Sequence, residues 1–123
     1  MAAKRASLPV FDPAQLLALS PYDAAFTRTL ATRLIQTNHD DVRALLAAHA
    51  SGNPAAVAAR AHRIRGGCMI VGAQRVAHQA TELEAHIQAR GLGTDSARSV
   101  LRLARRVREL ERALLAWLPA AGG

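Results

Sequence analysis

The chain has 123 residues, of which 50% are hydrophobic and 20% are charged, and its formal net charge is +7. That length suits a single domain with an ordinary core, and the single cysteine excludes an intrachain disulfide. No apolar run approaches the roughly 20 residues that span a bilayer, and the N-terminus lacks the apolar stretch of a secretory signal. We therefore expect a soluble, cytoplasmic domain.

The first half of the chain predicts a lead-in followed by two helices. Residues 1–10 form a linker, and a short helix follows over about 12–18. A long helical pattern then covers about 22–50. Its middle, 36–41, is polar enough to suggest a break, but because it contains neither Gly nor Pro we predict one continuous helix.

The third helix begins at Asn53-Pro54, because Asn is a favoured N-cap and Pro suits the first helical position. It should end at Gly72, since glycine commonly follows the last helical residue. His62 lies in its second half.

Two further helices are predicted over about 73–90 and about 95–118, and Pro119 should end the second of them. Four substantial helices joined by short turns indicate an all-α fold: an antiparallel up-down four-helix bundle with a short extra N-terminal helix. The domain should span 11–118, and 119–123 should form a flexible tail.

His62 is predicted to face away from the buried side of its helix. Apolar residues recur at alternating spacings of four and three, which is typical of one buried face: Val57, Ala61, Ile64, Cys68 and Val71. At about 100° per residue, His62 lies roughly 140° from the centre of that stripe. Because Cys68 belongs to the stripe, we expect it to be structural and not a nucleophile.

The helix surface around His62 carries no charge, although a solvated helix face is normally charged. Its members, here called the uncharged arc, are Ala55, Ala58, Ala59, Gly66, Met69 and Ile70. Arg63 and Arg65 flank it. Two adjacent glycines begin at Gly66, and each mid-helix glycine costs about 1 kcal/mol relative to Ala. We interpret this surface as one that another molecule approaches closely, with apolar contacts at the arc's last two members.

These residues resemble the signature of histidine-containing phosphotransfer (HPt) domains. That signature runs Ala-His-x-(Leu/Ile)-(Lys/Arg)-Gly, then a small and apolar run, then Gly-Ala, and it coincides with Ala61-His62, Arg65-Gly66 and Gly72-Ala73. The resemblance covers about 11–118. It is closest to the C-terminal module of unorthodox hybrid sensor kinases of the virulence-sensor (BvgS-like) type.

The resemblance implies a phosphorelay intermediate in two-component signal transduction. His62 would accept a phosphoryl group from a receiver-domain aspartate and pass it to the aspartate of a response regulator. Arg65 would stabilise the charge of the phosphoryl oxygens, and a polar residue on the next helix, Glu84 or secondly Gln88, would orient the imidazole through Nδ1. The residues expected to contact the receiver are Ala58, Ala59, Arg63, Gly66, Met69 and Ile70.

The resemblance also implies that the chemistry depends on partner proteins. We expect no independent enzyme activity outside a histidine kinase, and no cofactor of the domain's own, because the receiver supplies Mg. The isolated domain should be a monomer without nucleic-acid or membrane contact. Within a parent sensor kinase it would form a cytoplasmic C-terminal part of an inner-membrane protein.

Other interpretations of the sequence stay open. His78, Glu82 and His86 recur every fourth residue and could present a metal-binding face. Together they span about 12 Å of helix, too far for all three to reach one ion, but two of them could do so with a third ligand from elsewhere. A helix-turn-helix that uses 73–90 as its second helix would bind DNA, and a general protein-interaction module is a further alternative.

Arginines are concentrated on the last predicted helix: Arg98, Arg102, Arg105, Arg106, Arg108 and Arg112. The favoured interpretation is a solvated face, partly balanced by Glu109 and Glu111. Alternatively, their field steers an acidic receiver domain toward the protein.

Overall fold

The computed structural model describes the backbone of residues 8–122 and the side chains of 8–118. It contains five helices: α1 Pro13–Ala18, α2 Ala24–Ala50, α3 Pro54–Met69, α4 Gln74–Arg90 and α5 Thr94–Gly122. Among the long helices, α2 packs on α3, α3 on α4, α4 on α5 and α5 on α2, whereas in the described chain no Cα atoms of the diagonal pairs come within 8 Å of each other. The predicted all-α four-helix bundle with a short extra helix is confirmed.

The long helix α2 is continuous through its polar middle, 36–41, where two polar residues are buried and the others are exposed. Asn38 and Asp41 are only 4% and 3% exposed. One oxygen of Asp41 accepts from Nη1 of Arg60 at 2.9 Å and lies 3.3 Å from Nε of Arg63. These polar groups are satisfied across the helix interface, so no break is needed at 36–41.

The histidine helix α3 ends earlier than its sequence predicts. Asn53 caps its start, as expected, by accepting from the Ala56 N–H at 3.1 Å. Regular helix stops at Met69 instead of at Gly72. Gly72 has φ +67° and forms the left-handed residue of a Schellman-type end, in which the next N–H, that of Ala73, bonds the Cys68 carbonyl at 3.0 Å.

Helix α1 covers the C-terminal end of α3. Nε2 of Gln15 donates to the carbonyls of Met69 and Ile70 at 2.8 and 2.9 Å, and the N–H of Asp12 donates to the Val71 carbonyl at 2.9 Å. These bonds occupy carbonyls that the end of a helix otherwise leaves without partners.

The predicted linker, 1–10, and the predicted tail, 119–123, each overlap one end of the described chain. Residues 1–7 lie outside the described structure, but Leu8 accepts from Nε and Nη2 of Arg75 at 3.0 and 2.8 Å, so the end of the predicted linker lies against α4. Helix α5 runs through Pro119 to Gly122. The prediction that Pro119 ends this helix is therefore wrong: the fixed φ of proline, about −65°, is compatible with helical backbone.

Near the predicted domain boundaries, Phe11 packs edge-on against Trp117 with ring centroids 5.9 Å apart. The bundle core lies between these ends and is formed by aliphatic side chains of all five helices. None of the helices in the described part of the chain has the length and apolar character needed to cross a membrane.

Replacing Gly72 by Ala should destabilise the protein more than replacing Gly52 by Ala. Both glycines have positive φ, +72° for Gly52 and +67° for Gly72, which costs about 1–2 kcal/mol for an L-residue. Only at Gly72 would the new Cβ also lie 2.7 Å from Cβ of Asp12, so α1 must shift. Urea unfolding of both variants measures the difference. Equal losses of unfolding free energy would contradict the docking of α1 on this turn.

Candidate functional site

His62 lies on the outer side of α3, as its position relative to the apolar stripe predicts. Its side chain is 67% exposed. The stripe itself is buried: Val57, Ala61, Ile64 and Cys68 are all 0% exposed. The imidazole is therefore accessible to another macromolecule while its helix is held by the core.

Glu84 on α4 lies within hydrogen-bond distance of one ring nitrogen of His62. Nδ1 of the imidazole lies 3.1 Å from Oε1 of Glu84, whose side chain is only 17% exposed. Gln88, one turn further along α4, is exposed and makes no hydrogen bond to His62. The structure thus brings Glu84, and not Gln88, to the imidazole, and Nε2 has no hydrogen-bond partner among the described residues.

Arg65 approaches the same nitrogen from the next turn of α3. Its Nη2 lies 3.1 Å from Nδ1 of His62. A guanidinium can only donate and a carboxylate can only accept, whereas a ring nitrogen either carries a proton or offers a lone pair. The contacts of Nδ1 with Arg65 and with Glu84 therefore belong to two different protonation forms of the ring.

Arg63 flanks the site on the side of α2. Its Nε lies 3.3 Å from Oδ1 of Asp41, and its side chain is still 64% exposed. The buried carboxylate thus ties this arginine to α2. Of the two arginines that flank His62, only Arg65 contacts the imidazole.

The uncharged arc forms an open surface beside His62. Met69 and Ile70 are 58% and 52% exposed, Ala59 is exposed, and Ala58 is half-buried against the core. A Cβ added at Gly66 would meet nothing within 4 Å. Helix packing therefore does not account for this glycine, and the expectation of an open surface around it stands.

Cys68 is structural, as its place on the buried stripe predicts. Its thiol donates to Oδ1 of Asn38 at 3.8 Å. Burial raises the pKa of the Cys68 thiol to about 12, and the nearby Asp41 carboxylate adds to the rise while the bond to Asn38 opposes it. The thiol stays protonated at neutral pH, which excludes it as a nucleophile.

The described residues do not favour the metal or DNA interpretation. Nε2 of His78 lies 3.3 Å from Oε1 of Glu82, and within the described residues no group of three His, Cys, Asp or Glu side chains could share a metal ion. On the supposed recognition helix, Arg75 bonds the Leu8 carbonyl and Glu109, and Gln79 is 4% exposed. Neither side chain is available to a DNA groove.

The arginine-rich helix α5 lies on the diagonal from α3, and within the described chain no Cα atom of one helix comes within 8 Å of a Cα atom of the other. Arg106 lies 3.6 Å from Glu109. This pair agrees with a solvated face that is partly balanced by acidic residues, and steering of an acidic receiver domain stays a prediction.

Two residues that position the site are missing from the sequence-based expectations. Asp41 ties α2 to the histidine helix, and Gln15 covers the end of that helix. A signal for Asp41 was present, because Asn38, Asp41 and Leu45 follow the spacing of a buried stripe. No comparable signal marks Gln15, whose partners lie 54 and 55 residues away.

Comparison with known proteins gives matches at the levels of family, sequence and structure. The Hpt domain family matches residues 29–117. The virulence sensor protein BvgS of Bordetella bronchiseptica is 34% identical over 109 residues, and that of Bordetella parapertussis is 33% identical over 109 residues. Each alignment covers 88% of this chain but only 9% of the relative, so the chain spans a small part of those sensors.

A solved structure shows the same fold. The crystal structure of histidine-containing phosphotransfer protein B from Pseudomonas aeruginosa PAO1 matches with a TM-score of 0.81 at 22% identity, over 93% of this chain and 98% of that chain. The family match covers most of the bundle and includes His62, Arg65 and Glu84. The chain therefore belongs to the Hpt domain family, the phosphotransfer intermediates of two-component phosphorelays.

Proposed function

We propose that Nε2 of His62 accepts a phosphoryl group from the aspartate of a receiver domain and passes it to the aspartate of a response regulator. One observation carries the proposal: the exposed imidazole is held at Nδ1 by Glu84, at 3.1 Å, while Nε2 has no partner among the described residues. A carboxylate at Nδ1 favours the tautomer with a proton on Nδ1. The Nε2 lone pair is then available for attack.

Every atom in the transfer comes from His62 or from the phosphorylated receiver. The Nε2 lone pair forms a bond to phosphorus as the bond between phosphorus and the aspartyl oxygen breaks, and the aspartate leaves as a carboxylate. The Nδ1 proton stays on the ring, whose developing positive charge faces Glu84. Onward transfer reverses the step on a second aspartate and restores the lone pair.

Arg65 is the residue that we assign to the phosphoryl oxygens. Phosphoryl transfer proceeds through a loose transition state with charge on the equatorial oxygens, so positioned cations contribute much of the catalysis. Arg65 lies one turn from His62 and already reaches its ring. We propose that Mg belongs to the receiver and supplies further positive charge to those oxygens.

The receiver is proposed to dock on the uncharged arc and Arg63, as a partner of a monomeric, cytoplasmic domain. The arc exposes Met69 and Ile70 as apolar contacts, and Gly66 leaves room for the partner backbone above α3. Arg63 is exposed at the edge of this surface, where a carboxylate-rich receiver finds a complementary charge.

Reconstitution of the relay tests the proposal. A receiver domain is phosphorylated with labelled acetyl phosphate, separated from it, and incubated with this domain and then with a second, unlabelled receiver. We expect the label to move to this domain and then to the second receiver. A panel of receivers, none of which transfers label to the domain, would reject the function.

Replacing Arg65 by Ala should slow transfer at saturating receiver by about one to two orders of magnitude, because one positioned donor contributes a few kcal/mol in such sites. Single-turnover transfer measures this rate, and Arg65→Lys should retain most of it. Arg106→Ala is the matched control, since Arg106 lies on the diagonal helix α5 and pairs with Glu109. An unchanged rate in Arg65→Ala would contradict the assignment of this arginine to the phosphoryl oxygens.

A further inference from the structure

Nδ1 of His62 has two partners that cannot bond it at the same time. Oε1 of Glu84 and Nη2 of Arg65 each lie 3.1 Å from it. Bonding to Glu84 requires a proton on Nδ1, and bonding to Arg65 requires a lone pair there. A neutral imidazole carries one ring proton, so a proton on Nδ1 leaves a lone pair on Nε2, and a lone pair on Nδ1 places the proton on Nε2.

The two bonds have opposite consequences for phosphoryl acceptance. When Glu84 accepts from Nδ1–H, the lone pair is on Nε2, which is the form that attacks phosphorus. When Arg65 donates to Nδ1, the remaining proton of the neutral ring is on Nε2, and that nitrogen has no lone pair to offer. Arg65 is then also withheld from the phosphoryl oxygens.

The competition is direct because neither side chain has another hydrogen bond in the described part of the chain. Glu84 extends from α4, the helix packed beside α3, and its side chain is only 17% exposed. Arg65 lies on the same helix as His62, three residues further on. Its half-buried side chain is long enough to reach either the ring or an anion beside it.

We propose that Arg65 and Glu84 form a tautomer switch that sets the fraction of His62 ready for transfer. The bond from Arg65 stabilises the tautomer with the proton on Nε2, which cannot attack phosphorus. The bond to Glu84 stabilises the tautomer with the proton on Nδ1, which can. An incoming phosphoryl group draws Arg65 to its oxygens, which removes the donor from Nδ1 and leaves that nitrogen to Glu84. This inference rests on the proposed function of His62 and adds a second role for Arg65.

The ring nitrogens can be observed directly in the unphosphorylated domain. Long-range ¹H–¹⁵N correlation spectra of His62, recorded at alkaline pH, report the ratio of the two neutral tautomers. In Arg65→Ala we expect the Nδ1–H form to rise about fivefold relative to Nε2–H, the population equivalent of one net hydrogen bond. In Glu84→Ala we expect the same ratio to fall about fivefold.

Two controls separate the switch from a general change of charge or structure. Arg106→Ala removes an arginine on the diagonal helix and should leave the ratio unchanged. The double variant Arg65→Ala/Glu84→Ala should return the ratio toward the wild-type value, because both competitors are gone. Equal ratios in the wild type and both single variants, or shifts of the same size in Arg106→Ala, would overturn the proposal.

Phosphotransfer from a receiver to the domain is a separate readout from the tautomer ratio. Tautomer ratios that move as expected, in a domain that no receiver phosphorylates, would reject the proposed function while leaving the competition established. Unchanged ratios in a domain that transfers normally would reject the switch alone.

Discussion

Replacing His62 by Gln should abolish phosphoryl acceptance and leave the bundle folded. The side chain is 67% exposed and its two hydrogen-bond contacts are with Glu84 and Arg65 at the surface, so little packing is lost. Glutamine keeps a polar side chain of similar reach but has no nucleophilic ring nitrogen. Circular dichroism should report unchanged helicity, and incubation with a labelled receiver should leave the variant unlabelled.

The matched control for that variant is His39→Gln, since His39 is exposed on α2 and makes no hydrogen bond with the described residues. It should accept label at the wild-type rate. Labelling of the His62→Gln protein at another histidine would contradict the assignment of the phosphoacceptor.

Replacing Gly66 by Gln should give a stable protein that transfers poorly. A Cβ at this position meets nothing within 4 Å, and removing a mid-helix glycine stabilises a helix by up to about 1 kcal/mol. The melting temperature should therefore equal or exceed that of the wild type. In-line transfer needs reacting atoms about 3–3.5 Å apart, and a long side chain one turn from His62 holds the receiver further away.

Two further variants serve as controls for Gly66→Gln. Gly66→Ala, with a much smaller side chain, should lose less transfer than Gly66→Gln, and Ala89→Gln, at an exposed position of α4, should lose none. Near-normal transfer by a folded Gly66→Gln protein would contradict docking on the uncharged arc. A failure of Gly66→Gln to fold would contradict the open surface described at this position.

Helix content and the face of His62 could be predicted because both follow from local periodicity. The stripe from Val57 to Cys68 is buried as its 4-3-4 spacing requires, and Asn53-Pro54 starts α3 through a cap visible in the sequence. These features depend on residues within two or three turns of each other. The choice of His62 as the site residue followed from the uncharged arc around it.

Features that depend on how the helices lie against one another could not be predicted. Glu84 and Gln88 are one turn apart on α4, and only the register of α4 against α3 brings Glu84 to the ring. The burial of Asp41 likewise follows from packing of α2 on α3.

The most direct test of the central claim is to locate the phosphoryl group on the ring. After transfer from a labelled receiver, ³¹P and ¹⁵N spectra of the domain, with its acid and alkali stability, identify the phosphorylated atom. We predict an acid-labile, alkali-stable phosphoramidate with phosphorus bonded to Nε2 of His62, because Nδ1 faces Glu84 at 3.1 Å. Phosphorus on Nδ1, on another histidine, or in an acid-stable ester would contradict the account.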